Sequence, residues 1–140
     1  MTLNNRTTKV LAIIAVVVIA GLVIAHVSQA KRTAQHLQDL ASQEPDKVTE
    51  AMAQLRERGA SVGAGLAPLV QVSGGEASQR AAWLLGMVGS DAGNAALLSS
   101  VTSKDAVLRI AALQSLGKLR VADATGPAVA ILTDTKEKPE

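Results

Sequence analysis

The sequence predicts an all-α protein: a single N-terminal transmembrane helix continuing into a neck helix, then a short α-solenoid of about three helical hairpins. Three observations predict it. The run Val10 to Val27 is apolar throughout except for Gly21 and His26. The chain beyond Pro45 repeats itself at a period near 30 residues, and each repeat holds two helical patterns. The 140 residues include one Trp and no Tyr or Phe, yet hydrophobic residues reach 48%. Sandwiches and barrels lean on aromatic and β-branched cross-strand pairs, so this composition disfavours them.

Residues 1–9 form a short tail carrying Arg6 and Lys9 and no acid. The eighteen residues 10–27 rise about 27 Å as a helix, close to the roughly 30 Å hydrocarbon core. Lys9 on one side and Lys31–Arg32 on the other stand where long cationic stems snorkel to the headgroups. The apolar run exceeds the h-region of a signal peptide, and cations follow directly after Ser28-Gln29-Ala30, the one small-x-small cleavage pattern. An uncleaved anchor is therefore the expectation; a cleaved, soluble periplasmic protein is the alternative. The acid-free tail tilts the positive-inside rule toward a cytoplasmic N-terminus and a periplasmic or otherwise extracytoplasmic domain. Gly21 and Ala25 form a small-xxx-small pair that admits a second helix and are candidate interface residues. His26 is the one ionisable group in the run and a candidate ligand to a cofactor, although a His in the last turn near the headgroups needs no such role.

Residues 28–44 continue the helical pattern as a neck, with Ala30, Ala34, Leu37, Leu40 and Ala41 on a narrow stripe. The repeats follow at 45–72, 73–101 and 102–132, and 133–140 is a polar tail. At an offset of 31, Ala81, Leu85, Gly86 and Val88 fall on Ala112, Leu116, Gly117 and Leu119. At an offset of 30, Ala51, Leu55 and Gly59 fall on Ala81, Leu85 and Gly89. First helices are expected at 46–58, 76–88 and 104–118, and second helices at 62–72, 92–101 and 124–132. The core stripes are Val48/Ala51/Met52/Leu55, Ala77/Ala81/Leu84/Leu85/Val88 and Val107/Ile110/Ala111/Ala112/Leu116. Asp46, Ser73 and Ser103 are the expected caps of the first helices, and Ser90 or Asp91 that of the second unit's second helix. Pro68 and Pro127 suit early turns of second helices, where a missing N–H costs little.

The segment Val107-Leu108-Arg109-Ile110-Ala111-Ala112-Leu113-Gln114-Ser115-Leu116-Gly117, followed by Asp123 and Pro127, resembles a HEAT repeat. It is most similar to the short type of phycobilisome lyases, and Gln79-Arg80-Ala81-Ala82-Trp83-Leu84-Leu85-Gly86 repeats the theme one unit earlier. The resemblance covers 45–132 but departs from the pattern in two places: the first unit lacks the Leu-Gly step, and Arg80 stands one residue before its Ala pair where Arg109 stands two before. It implies a right-handed helical stack used for protein–protein binding, with bilin-lyase-like chromophore handling as a remote alternative.

Charge and chemistry narrow the function further. Outside the tail, twelve basic residues balance twelve acidic ones without a dense cluster, so nucleic acid is not an expected partner. The absence of Cys removes thiolate metal sites and cysteine nucleophiles. No His follows His36, no Gly-rich stretch carries the Lys of a phosphate loop, and the carboxylates Glu44, Asp46 and Asp105 read as helix-start caps and dipole partners. The expectation is a non-catalytic scaffold or single-pass accessory subunit of a membrane complex. No metal, cofactor or small-molecule substrate is expected, and the partners are protein and the lipid bilayer. Trp83 falls at the edge of its helix's stripe; burial between units is the expected placement, and exposure would make it an interface anchor. A reporter active only in the cytoplasm, fused after Glu140, is expected to be silent; strong activity there would reverse the orientation.

Overall fold

The computed structural model describes residues 5–72, 75–126 and 129, with side chains in the first helix from Ile14 onward. Among them are six α-helices and no strand: α1 (Asn5–Asp39), α2 (Pro45–Glu57), α3 (Gly63–Val72), α4 (Gly75–Val88), α5 (Asp91–Ser100) and α6 (Ala106–Leu119). Two 3-10 turns lie at Gly59–Val62 and Ala122–Ala124. The chain divides into two compact units, Met1–Ala34 and Gln35–Glu140.

In the first unit, apolar side chains stand exposed on every side of α1, from Ile14 through Val27. Within the described stretch Ile14–Asp39 an 18-residue window has a mean hydropathy of 1.9, and none of that window is buried in protein. A helix that is apolar all round has no polar face to give to water. It is long and apolar enough to cross a membrane.

The second unit packs one core. Leu40, Leu55, Leu66, Leu84, Leu85, Leu97 and Leu116 are all fully buried in it. α4 lies between α2 and α6 and also packs on α3, while α3 packs on α5 and α5 on α6. The starts and ends of α2 to α6 fall within a residue or two of those expected from periodicity. Three of the first helices' C-termini share one device. Gly59, Gly89 and Arg120 follow α2, α4 and α6 with φ of 60°, 60° and 54°, the left-handed conformation that stops a helix. Their spacing of 30 and 31 is the sequence period, so at the third position a non-glycine bears the αL strain.

The structure corrects several local expectations. The neck helix stops at Asp39 rather than 44: Leu40 turns into the core, and the Arg80 guanidinium donates to the carbonyls of Leu40 (2.8 Å) and Ser42 (3.3 Å), drawing them out of the helical path. Ala30, Ala34 and Ala41 of the expected stripe are exposed, which leaves Leu37 and Leu40 as its covered members. Glu44, extended ahead of Pro45, is the N-cap of α2, and Asp46 lies within the first turn. Asp105 rather than Ser103 caps α6, accepting from the N–H groups of Val107 (2.9 Å) and Leu108 (3.2 Å), while Ser103 accepts from Asp105 N–H (3.2 Å). Ser90 caps α5 as expected, accepting from Gly93 N–H at 3.0 Å. Pro68 lies inside α3, beyond its first turn. Ser73, Pro127 and all but the start of the helix expected over 124–132 lie outside the described residues.

Two core stripes also shift. In α4, Ser78 is buried and Ala77 half-buried, because the Ser78 hydroxyl donates to the Leu69 carbonyl of α3 (3.0 Å). In α6, Leu108, Ala112, Ser115 and Leu116 are buried, while Val107 and Ile110 are each 54% exposed. The stripe is set by α4, whose Ala82 carbonyl accepts the Ser115 hydroxyl at 2.9 Å.

Gly86 and Gly117, equivalent in the repeat, differ in their surroundings. A Cβ at Gly86 would meet Cβ and Oγ of Ser115 at 2.5 Å and its Cα at 2.8 Å; one at Gly117 meets nothing within 4 Å. Gly86→Ala is therefore expected to cost about 1–3 kcal/mol by overpacking. Gly117→Ala should stabilise by about 0.5–1 kcal/mol through helix propensity. Leu85→Ala and Leu116→Ala should each cost about 2–5 kcal/mol. Denaturant unfolding of the four variants checks the set, and equal effects at the two glycines would contradict the packing.

Candidate functional site

α4 is covered by neighbours on most of its circumference, which leaves one narrow strip. Glu76, Arg80, Trp83 and Met87 recur on it at spacings of three and four, and the burial pattern across 81–86 is broken only at Trp83. Trp83 is thus 42% exposed, not buried between units: the buried stripe of α4 faces the core and the indole stands opposite it rather than at its edge.

Around it lies a shallow groove of about 270 Å³ lined by Thr49, Met52, Ala53 and Arg56 of α2 and by Trp83. Ala53 occupies the repeat position of Trp83 thirty residues earlier, and its small side chain leaves the space open. From α6, the Lys118 ammonium lies over the indole ring, 5.6 Å from its centroid, a cation–π contact.

Acids and bases both stand on α2 near the groove: Glu50 and Glu57 are exposed there along with Arg56. Among the described residues, the ion pairs are Lys47–Glu44 (2.6 Å) and Arg80–Glu76. They engage two acids away from the groove lining, and the hydrogen bond and charge of Glu44 raise the Lys47 ammonium above its ordinary value. Arg56 and Lys118 belong to neither pair, and no acidic side chain lines the groove.

The other candidates lie in the first unit. Gly21 and Ala25 are one turn apart on α1, both exposed, with no atom within 4 Å of a Cβ built at Gly21. The Ala25 carbonyl accepts the Ser28 hydroxyl at 2.9 Å. His26 is exposed and shares a shallow surface with Ile19, Leu22, Val23 and Val27, an apolar set with no second ligating group. Among the described residues, no three His, Asp or Glu side chains converge. Sequence reasoning singled out Trp83 but missed Met52, Arg56 and Lys118 as its surroundings. The usable signal was the repeat register, which places Ala53 and Trp83 at one position on adjacent first helices.

No protein-family model, curated protein or solved structure matches this chain.

Because Trp83 is the sole aromatic residue, the chain's intrinsic fluorescence reports this one position. Acrylamide is expected to quench it readily; strong protection in the isolated chain would contradict the exposed placement.

Proposed function

We propose that this protein is a single-pass, membrane-anchored binding module whose HEAT-like helical domain serves as a non-catalytic scaffold or accessory subunit of a membrane protein complex. The observation that carries this reading is the exposed Trp83 beside an open groove on a well-packed helical domain. Large aromatic and Arg side chains supply most of the energy in protein interfaces, and Trp83 is the one aromatic side chain this sequence holds.

Further features support the parts of this reading. The uncovered apolar surface of α1 suits lipid, and the cations on both flanks suit headgroups. The repeated left-handed stops at Gly59, Gly89 and Arg120, with α4 packed between α2 and α6, are what stacked hairpins of 30–31 residues require. The tail's cations favour a cytoplasmic N-terminus and a domain outside the cytoplasm. A leader removed after Ala30 is the competing reading, since an N-terminal apolar helix serves equally as a signal sequence. Sequencing of the mature N-terminus separates the two, with Lys31 as first residue overturning the anchor.

Purified in mild detergent with residues 1–34 intact, the protein is expected to emerge in a stoichiometric complex with another protein. A monodisperse monomer without a partner would overturn the scaffold reading.

A further inference from the structure

The groove beside Trp83 has a chemistry specific enough to name its occupant. Its floor is apolar, made by Met52, Ala53 and the indole face, and its volume of about 270 Å³ lies at or below the range of about 300–1,000 Å³ typical of small-molecule sites. It is therefore suited to a side chain inserted from a larger partner. Two cations stand at it, Arg56 in its lining and Lys118 over the indole from α6, while the exposed Glu50 and Glu57 of α2 are not among the lining residues. The acids that form ion pairs in the described fold, Glu44 and Glu76, are engaged by Lys47 and Arg80 and do not line the groove. Two cations are too few to hold a nucleic-acid backbone, whose binding needs many phosphate contacts. They match a pair of carboxylates, which an Arg guanidinium receives through two parallel N–H donors.

We propose that the groove between α2 and α4 is the docking site for an acidic protein segment that inserts an aliphatic side chain against Trp83 and sets carboxylates against Arg56 and Lys118. This rests on the reading of the domain as a protein-binding module, and names that partner's chemistry. Trp83 supplies the desolvated anchor, while Arg56 and Lys118 steer the encounter and fix its register. Lys118 holds the indole face by its cation–π contact in the free protein and turns to a carboxylate when the segment arrives.

The test uses the full chain in nanodiscs of neutral lipid and follows Trp83 fluorescence. The probe is a short synthetic peptide built from Glu, Asp and Leu; its control replaces each acid by Lys. The acidic peptide should give a saturable shift of Trp83 emission that weakens as salt is raised, and the Lys peptide should give none. Arg56→Gln and Lys118→Gln, both at exposed positions, should each weaken binding about tenfold or more while leaving thermal unfolding unchanged. Emission unmoved by the acidic peptide, an equal response to the Lys peptide, or undiminished binding by both variants would each overturn the proposal. A shift produced by anionic lipid vesicles with the peptide inert would overturn it too, and assign the groove to a membrane surface. Retention of the co-purifying protein by both variants would sink the groove proposal alone. A chain that takes the peptide yet purifies without any protein would sink the scaffold reading alone.

Discussion

The close approach of α4 and α6 is the constraint from which most of the helical unit follows. At Gly86 the two helices come so near that no side chain fits, and the Ser115 hydroxyl reaches across to the Ala82 carbonyl. A buried hydroxyl is tolerated only when it is hydrogen-bonded. That bond fixes which way α6 is turned. With Ser115 facing α4, Leu108, Ala112 and Leu116 must point into the core, and Val107 and Ile110 must point away. Ser78 acts similarly between α4 and α3 through the Leu69 carbonyl. Two serines thus hold the central helix in register with its neighbours, where a wholly aliphatic interface would allow it to rotate.

Small residues perform the corresponding task elsewhere. The start of α3 is glycine-rich because side chains there would strike neighbours: Gly63 lies against the Ser90 side chain, and a Cβ at Gly65 would stand 2.7 Å from Leu37 Cδ1. Gly93 makes room for Leu85, with its Cβ position 2.7 Å from Leu85 Cδ2. These glycines weaken helix propensity by about 1 kcal/mol each and gain close packing in return. Arginines hold the loops. Arg80 donates to the carbonyls of Leu40 and Ser42 ahead of α2, and Arg109 to those of Ser103 (2.9 Å) and Lys104 (3.3 Å) ahead of its own helix. Both guanidiniums satisfy backbone oxygens in the connections between helices.

The surface follows from the same packing. Because α4 is covered on nearly every side, its charged and aromatic residues are confined to one strip, and Trp83 has nowhere inside to go. The groove forms beside it because α2 presents Ala53 where α4 presents Trp83. Lys118 then reaches the ring from α6, bringing together three helices whose contributing residues lie far apart along the chain. A shallow surface of this kind is a by-product of packing helices that carry different side chains at their exposed edges.

The sequence alone determined the helical class, the long apolar first helix, and where α2 to α6 begin and end. These are local properties: hydrophobic period, the placement of Gly and Pro, and polar residues at helix starts. It also determined that Leu55, Leu85 and Leu116 are core, since each lies on a stripe that points inward for any packing partner. Only the tertiary structure decided which serines are buried, why Gly86 is essential when Gly117 is open, and that Val107, Ile110 and Trp83 face outward. Those outcomes depend on which helix lies opposite. Periodicity gives the width of an apolar stripe, but the hydrogen bonds and close contacts of the neighbour set its direction, and these form only when residues thirty or more apart in the chain meet.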